Sequence, residues 1–472
     1  MSVARDAVSG VSWTASATLI KGGLQLAQLI VLARFLTPAE LGVLAIIQLV
    51  VGFAQIFGDA GISNALIFHK QLKKSQLNQL YMVNVILGIV ISLLVLIMAV
   101  PTASFFNMPQ LSLLLCYLSP VFFIRSLGQQ QLALLQQKMH FNSIAKIEVF
   151  ASVASFIALI ILLAVDLRLE SVVFSQLLNA LLLSTCFLVG FPLLRPGFSK
   201  LRLNSIIAPI KYGLYQTSES FVNFISAQLD QLLIGKLLGP EVLGIYAYVK
   251  ALVFRPALQL INPVVNKVAF PLIVKHKETH SLAILYGMVI RLLSLINIPL
   301  YCLVALFPEF ILGIAYGAEW LEHAELLRWL GLYMLIISMM NPIGVLLRAS
   351  GEVKRGFWWN IAVTVVRPLV IVLSINEGIT VMVQALVALQ VLLFLLHWKL
   401  LIKPISGLSF FQFAAALGPA CIAFFAIAAL LLLLIQPLLI LAPVYLFVLI
   451  CVGYLVAITP QLLKFYSFIR GS

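Results

Sequence analysis

Apolar stretches of about 20 residues recur from one end of the chain to the other, separated by short polar turns. A helix of that length crosses about 30 Å of hydrocarbon. Fourteen such segments can be read, over 10–33, 41–67, 80–103, 111–134, 147–165, 171–194, 212–236, 242–272, 282–306, 326–347, 356–375, 378–398, 412–435 and 438–458. The 242–272 segment is long enough to be tilted or bent within a bilayer. A transmembrane β-barrel would instead alternate apolar and polar positions over segments of about 10 residues, and the chain has no such pattern. The predicted fold is all-α, a polytopic membrane protein of about 14 helices.

One stretch of this pattern is written twice. Leu32-Ala33-Arg34-Phe35-Leu36-Thr37-Pro38-Ala39-Glu40-Leu41-Gly42-Val43-Leu44-Ala45 ends the first segment and opens the second. Ile234-Gly235-Lys236-Leu237-Leu238-Gly239-Pro240-Glu241-Val242-Leu243-Gly244-Ile245-Tyr246-Ala247 does the same for the seventh and eighth. A cation, a Leu-x-Pro, a leucine, a glycine and an alanine fall in register. Six segments separate the copies, so both halves cross the membrane in the same direction, and paired halves are a common build of transporters. The expected organisation is an N-lobe of six spans (1–195), a linker (196–211), a C-lobe of six spans (212–400), and two extra spans with a tail (401–472). The two lobes are expected to be pseudo-symmetric, with the substrate between them.

Composition agrees: the 472 residues are 62% hydrophobic and only 10% charged, against about 25% charged in soluble domains. Mean hydropathy is +1.12. No loop is long enough for a soluble domain. The net charge of +14 fits the cytoplasmic excess of Lys and Arg in membrane proteins and contact with anionic lipid heads. No basic run with interleaved aromatics suggests nucleic acid. With the N-terminus inside, about 19 cations fall on inner loops and tails, against Arg34, Arg168, Lys236 and Arg328 outside. Both termini are therefore expected in the cytoplasm. The first span follows Ser2–Gly10 with no small-residue cleavage site, so no cleavable signal is expected. The five cysteines are scattered singly in apolar segments, with no metal or disulfide spacing. No cofactor is implied, and no phosphate-binding loop points to ATP.

Several charges lie inside the predicted spans, where one at the bilayer centre costs at least about 2.5–3.5 kcal/mol. The bases are Lys21, Arg125, Lys250, Arg255, Lys267, Arg291 and Arg367; the acids are Asp59, Glu219 and Asp230. Asp59 and Lys267 are near span ends and can snorkel. Three acids do not neutralise seven bases, and the excess calls for water or an anionic guest. Lys21, Gln25 and Gln28 share one face of the first span, and Glu219, Asn223, Ser226 and Asp230 share one face of the seventh. These stripes are expected to line a central cleft, with polar contacts between packed helices as the alternative. Substrate binding is accordingly assigned to Lys21, Gln25, Gln28, Arg125, Lys250, Arg255, Arg291 and Arg367, and ion coupling to Glu219 and Asp230.

The chain resembles the polysaccharide (O-antigen and exopolysaccharide) flippases of the multidrug/oligosaccharidyl-lipid/polysaccharide exporter superfamily, near the colanic-acid-exporter type. The resemblance spans roughly residues 5–400. It is carried by Leu32–Ala45 with Phe57-Gly58-Asp59-Ala60-Gly61-Ile62, by Asp230–Gly239 running into Leu243-Gly244-Ile245-Tyr246, by Ala269-Phe270-Pro271, and by Tyr316-Gly317-Ala318-Glu319-Trp320. It implies alternating access in the bacterial cytoplasmic membrane, and movement of an undecaprenyl-diphosphate-linked oligosaccharide from the inner to the outer leaflet. Membrane lipids and a polysaccharide polymerase would be its partners. No catalytic residue carries over.

Three other readings stay open: a cation-coupled drug or metabolite antiporter, a lipid II flippase, and a membrane polymerase or ligase. An enzyme of that last kind needs a sizeable outer loop. The largest here, Phe307–Leu326, holds Glu309, Glu319, Glu322, His323 and Glu325, which read as a solvated rim.

Overall fold

The structure is a computed structural model that describes residues 2–59, 66, 73–191, 203–276, 281–435 and 443–471. Most of the described residues are helical, and none of them lies in a strand. Among the described residues, eleven helices are long and apolar enough to cross a membrane. The seventh, eighth and fourteenth predicted segments fall on further helices, over Leu203–Leu237, over Gly239–His276 with an interruption, and over Pro443–Gly471.

The first compact unit runs over Met1–Tyr248. It holds α1 (Ser2–Phe35), α2 (Pro38–Asp59), α3 (Lys74–Phe106), α4 (Gln110–Leu118), α5 (Pro120–Gln137), α6 (Phe141–Ala164), α7 (Arg168–Gly190), α8 (Leu203–Leu237) and the start of α9 (Gly239–Arg255). Helix α1 packs on α6, α5 on both α3 and α7, and α2 on α3 and α8. Lipid offers no hydrophobic drive between helices, so small residues and interhelical hydrogen bonds do the work. Gly88 on α3 lies so close to Ser126 on α5 that a methyl there would come 2.6 Å from the serine Cβ. Gly128 on α5 does the same against the Ser184 backbone on α7, at 2.8 Å. Beside these crossings Asn84 Nδ2 donates to the Ser126 carbonyl at 3.1 Å, and Ser184 Oγ to the Ile124 carbonyl at 2.6 Å.

The second unit runs over Val249–Ser472. The long eighth segment is broken at Pro256–Ile261, a π-helical turn between α9 and α10 (Asn262–His276). Pro256 brings no N–H to the helical ladder, which widens locally instead of ending. The unit continues through α11 (Leu282–Leu306), α12 (Pro308–Ala315), a 3₁₀ turn (Ala318–His323), α13 (Ala324–Met340), α14 (Ile343–Ser350), α15 (Val353–Ser374), α16 (Ile379–His397), a π turn (Trp398–Ile402), α17 (Lys403–Ser406), α18 (Phe410–Ile435) and α19 (Pro443–Gly471). Its centre is polar: Asn297 Nδ2 donates to Asn262 Oδ1 at 3.0 Å, and Asn262 Nδ2 to the Ser338 carbonyl at 3.1 Å. All three residues are buried. The last two helices are part of this unit's core. Phe424, Ile450 and Tyr454 pack with Leu295, Ile298 and Cys302 of α11, and the Tyr454 hydroxyl donates to the Leu295 carbonyl at 2.9 Å.

Candidate functional site

The two copies of the repeated stretch touch each other, and the contact is reciprocal. Helix α2 begins at Pro38 and α9 at Gly239-Pro240. A methyl built on Gly42 would lie 1.9 Å from the Pro240 carbonyl oxygen; one on Gly244 would lie 1.8 Å from the Pro38 oxygen and 2.7 Å from the Gly42 nitrogen. The first turns of the two helices thus cross backbone to backbone, which only glycine at both crossings allows. Each entry turn is built differently. The Thr37 N–H donates to Glu40 Oε2 at 2.8 Å and the Glu40 N–H to Thr37 Oγ1 at 3.4 Å, a reciprocal cap. Arg168 of α7 holds the same Glu40 oxygen at 2.6 Å. In the second copy Gly239, at φ +85°, makes the turn.

Lys21 of the α1 stripe meets an acid that the sequence reading left out. Its Nζ lies 2.5 Å from Glu148 Oε2 on α6. The two side chains are 35% and 25% exposed, so the pair is partly open. Gln25 is exposed and Gln28 half-buried on the same helix. Next to this pair along α6, Lys146 sits 5.6 Å from the Trp13 ring centroid. Glu148 was missed because a hydropathy boundary at 147 puts it at a span edge, whereas α6 starts at Phe141 and carries it about two turns inward.

Of the polar stripe on the seventh segment, Asn223 is exposed and Asp230 half-buried. Asp230 is well satisfied: Oδ2 accepts from the Tyr246 hydroxyl at 2.6 Å, and Oδ1 from the Gln231 N–H at 2.8 Å. Tyr246 belongs to the second repeat copy, so this acid braces the turn between α8 and α9. The side chains of Asp59, Glu219 and Lys267 lie outside the described residues.

The remaining cations are distributed between the units. Arg125 is half-buried on α5, and its Nε has no hydrogen-bond partner among the described residues. Lys250 is buried, 5.1 Å from the Phe254 ring centroid on its own helix. Arg255 on α9 is half-buried and Arg291 on α11 exposed. Arg367 of α15 reaches Gln390 Oε1 of α16 at 3.3 Å and lies 6.0 Å from the Tyr333 ring of α13, while its Nε is without a partner. The rim acids stay at the surface: Arg328 meets Glu309 at 3.3 Å, and His323 meets Glu322 at 3.4 Å beside Trp320.

This arrangement, read with the sequence, has clear relatives. Residues 31–325 match the family of polysaccharide biosynthesis proteins. The chain belongs to that family. It is 28% identical over 420 residues to the lipopolysaccharide biosynthesis protein WzxC of Escherichia coli K12, covering 88% of this chain and 85% of that one. It is 31% identical over 384 residues to the teichuronic acid biosynthesis protein TuaB of Bacillus subtilis 168, covering 80% and 78%. Among solved structures, the lipid II flippase MurJ in an inward closed conformation superposes with a TM-score of 0.75, over 96% of this chain and 99% of that one, at 14% identity. The two chains therefore share this helical membrane fold. The resemblance to polysaccharide flippases carried by the repeated motifs holds.

Proposed function

We propose that this family member flips a lipid-linked oligosaccharide from the inner to the outer leaflet of the bacterial cytoplasmic membrane, by alternating access, for surface polysaccharide assembly. The observation that carries this reading is the unmet basic capacity at membrane depth. The guanidinium Nε atoms of Arg125 and Arg367 are buried without partners among the described residues. Planar guanidinium groups suit phosphate oxygens, and in each unit taken by itself an anionic phosphate head is a guest that would satisfy the arginine there. Lys21, with Gln25 and Gln28 for sugar hydroxyls, extends the same chemistry. Lys250, Arg255 and Arg291 are the further cations proposed to meet substrate. The lobes we assign are 1–195 and 212–400, with the Gly42–Gly244 crossing acting as the outer gate between repeat copies. Both termini face the cytoplasm in this scheme.

The test is complementation of a strain lacking the gene. Wild type should restore surface polysaccharide, while Arg125→Ala and Arg367→Ala restore little at near-normal abundance and Arg→Lys restores part. Full restoration by both alanine variants removes the anionic-guest reading and moves an antiporter of neutral or cationic solutes ahead. In that case Asp230→Asn and Glu219→Gln should abolish dependence on the coupling ion. Orientation is read separately by cysteine labelling of intact cells, and labelling of the 196–211 linker from outside would overturn it.

A further inference from the structure

Within the first unit, α2, α3, α4 and α8 line a half-open cleft of about 540 Å³. Its walls include Ile46, Phe53, Val95, Met98, Phe106 and Phe224, and Thr102 is the one hydroxyl among the residues lining it. The cavity follows α2 from Ile46 to Phe57 and α3 from Ile91 to Phe106, which is about 16–22 Å along the helix axes. It is a built feature. A methyl on Gly52 would lie 2.6 Å from the Phe224 ring, so that glycine seats the ring in the wall. At one end Phe53, Phe57 and Phe221 form an aromatic cluster with ring centroids 5.1–5.7 Å apart.

A cation stands beside the other end. A methyl on Gly235 would lie 3.2 Å from Ile46 and 3.5 Å from Phe106, both wall residues. The next residue, exposed Lys236, donates to the Phe105 carbonyl at 2.7 Å and sits 4.5 Å from the Phe105 ring centroid. That bond uses one of three ammonium donors and holds the charge beside the backbone that carries wall residue Phe106. Leu94 and Met98, at the cavity edge, are 51% and 49% exposed, so a chain has a way in from the side.

We infer that this cleft seats the head-proximal stretch of the hydrocarbon chain of a single-chain lipid whose phosphate head meets Lys236. A methylene takes up close to a water's share of liquid volume, about 30 Å³, so the cleft has room for about 18 of them. That is one chain, not the two of a phospholipid. The charge pattern, an apolar cleft with a cation beside one end, complements an anionic amphiphile. The inference rests on the proposed flippase reading only in taking this lipid to be the anchor of the cargo.

The probe is a diazirine-tagged geranylgeranyl monophosphate, added to the full-length protein in phospholipid nanodiscs. Photolysis should place adducts on peptides of α2, α3 and α8. Val95→Trp, which fills the slot, should cut them at least fivefold, and Lys236→Gln about threefold. If Val95→Trp does not fold, Leu94→Trp at the exposed edge answers the same question. Equal labelling by a diazirine-tagged two-chain phosphatidylglycerol would overturn the inference in favour of bulk lipid. So would adducts unchanged in a folded tryptophan variant, or full polysaccharide export by a variant that has lost them. A gene deletion that leaves surface polysaccharide intact would instead remove the flippase reading while leaving the crosslinks standing.

Discussion

Gly244→Ala should abolish surface polysaccharide export and lower the thermal midpoint of the purified protein. The added methyl would sit 1.8 Å from the Pro38 oxygen and 2.7 Å from the Gly42 nitrogen. Both are backbone atoms, so no rotamer change makes room, and the first turns of α2 and α9 must separate. Overpacking a well-packed site costs about 1–3 kcal/mol even where side chains can adjust, and here the cost falls at or above the upper end. Gly42→Ala should be as severe, because its methyl would meet the Pro240 oxygen at 1.9 Å. The control is Gly23→Ala on α1, which meets nothing within 4 Å; alanine there should be neutral or stabilising by about 0.5–1 kcal/mol through helix propensity. Complementation assays and fluorescence-detected melting in detergent would check all three. Normal export with an unchanged midpoint for Gly244→Ala would show that the two copies do not cross as described.

The second large effect concerns Lys21 and Glu148. Removing one partner of a buried ion pair is strongly destabilising, about 3–5 kcal/mol when fully desolvated. This pair is partly open, so the cost should be well below that range. Lys21→Ala should lose export, since it removes the proposed phosphate partner and strands Glu148 at membrane depth. Lys21→Arg should keep part of the function. Glu148→Gln leaves the ammonium an amide oxygen to meet, so abundance should hold while export changes. The decisive variant reverses the pair, Lys21→Glu with Glu148→Lys. A purely structural pair would regain both abundance and export in the reversed form. We expect abundance to recover and export to stay lost, because the cation then stands on α6 and no longer shares a face with Gln25 and Gln28. Export restored to wild type by the reversed pair would reduce Lys21 to a structural role.

These two sites also mark where the sequence was legible. Glycine and proline in register announced the repeat, because a close helix crossing demands those residue types and leaves them in both copies. Nothing in either copy announced that its partner would be the other copy. Periodicity tells which face of a helix is special and is silent on what faces it. The basic residues inside the spans were visible because charge stands out against hydrocarbon, yet the acid that pairs with Lys21 was hidden by a blurred span end. The same blurring joined α9, its π turn and α10 into one segment, since hydropathy averages over the place where the ladder widens at Pro256.

What the sequence determined by itself was the all-α membrane class, the internal duplication and the family. Each of these depends on composition or local pattern: apolar length sets what crosses a bilayer, and a repeated string reports a duplicated segment. Only the tertiary structure decided that Lys21 is met by Glu148, 127 residues away, and that Asp230 is held by Tyr246. It also showed that α18 and α19 complete the core around α11, and that α2, α3, α4 and α8 leave a hydrocarbon-sized slot between them. Pairings of that kind depend on how helices rotate and cross once packed, and a side chain's neighbours across a helix interface are set by that geometry rather than by anything written next to it in the chain.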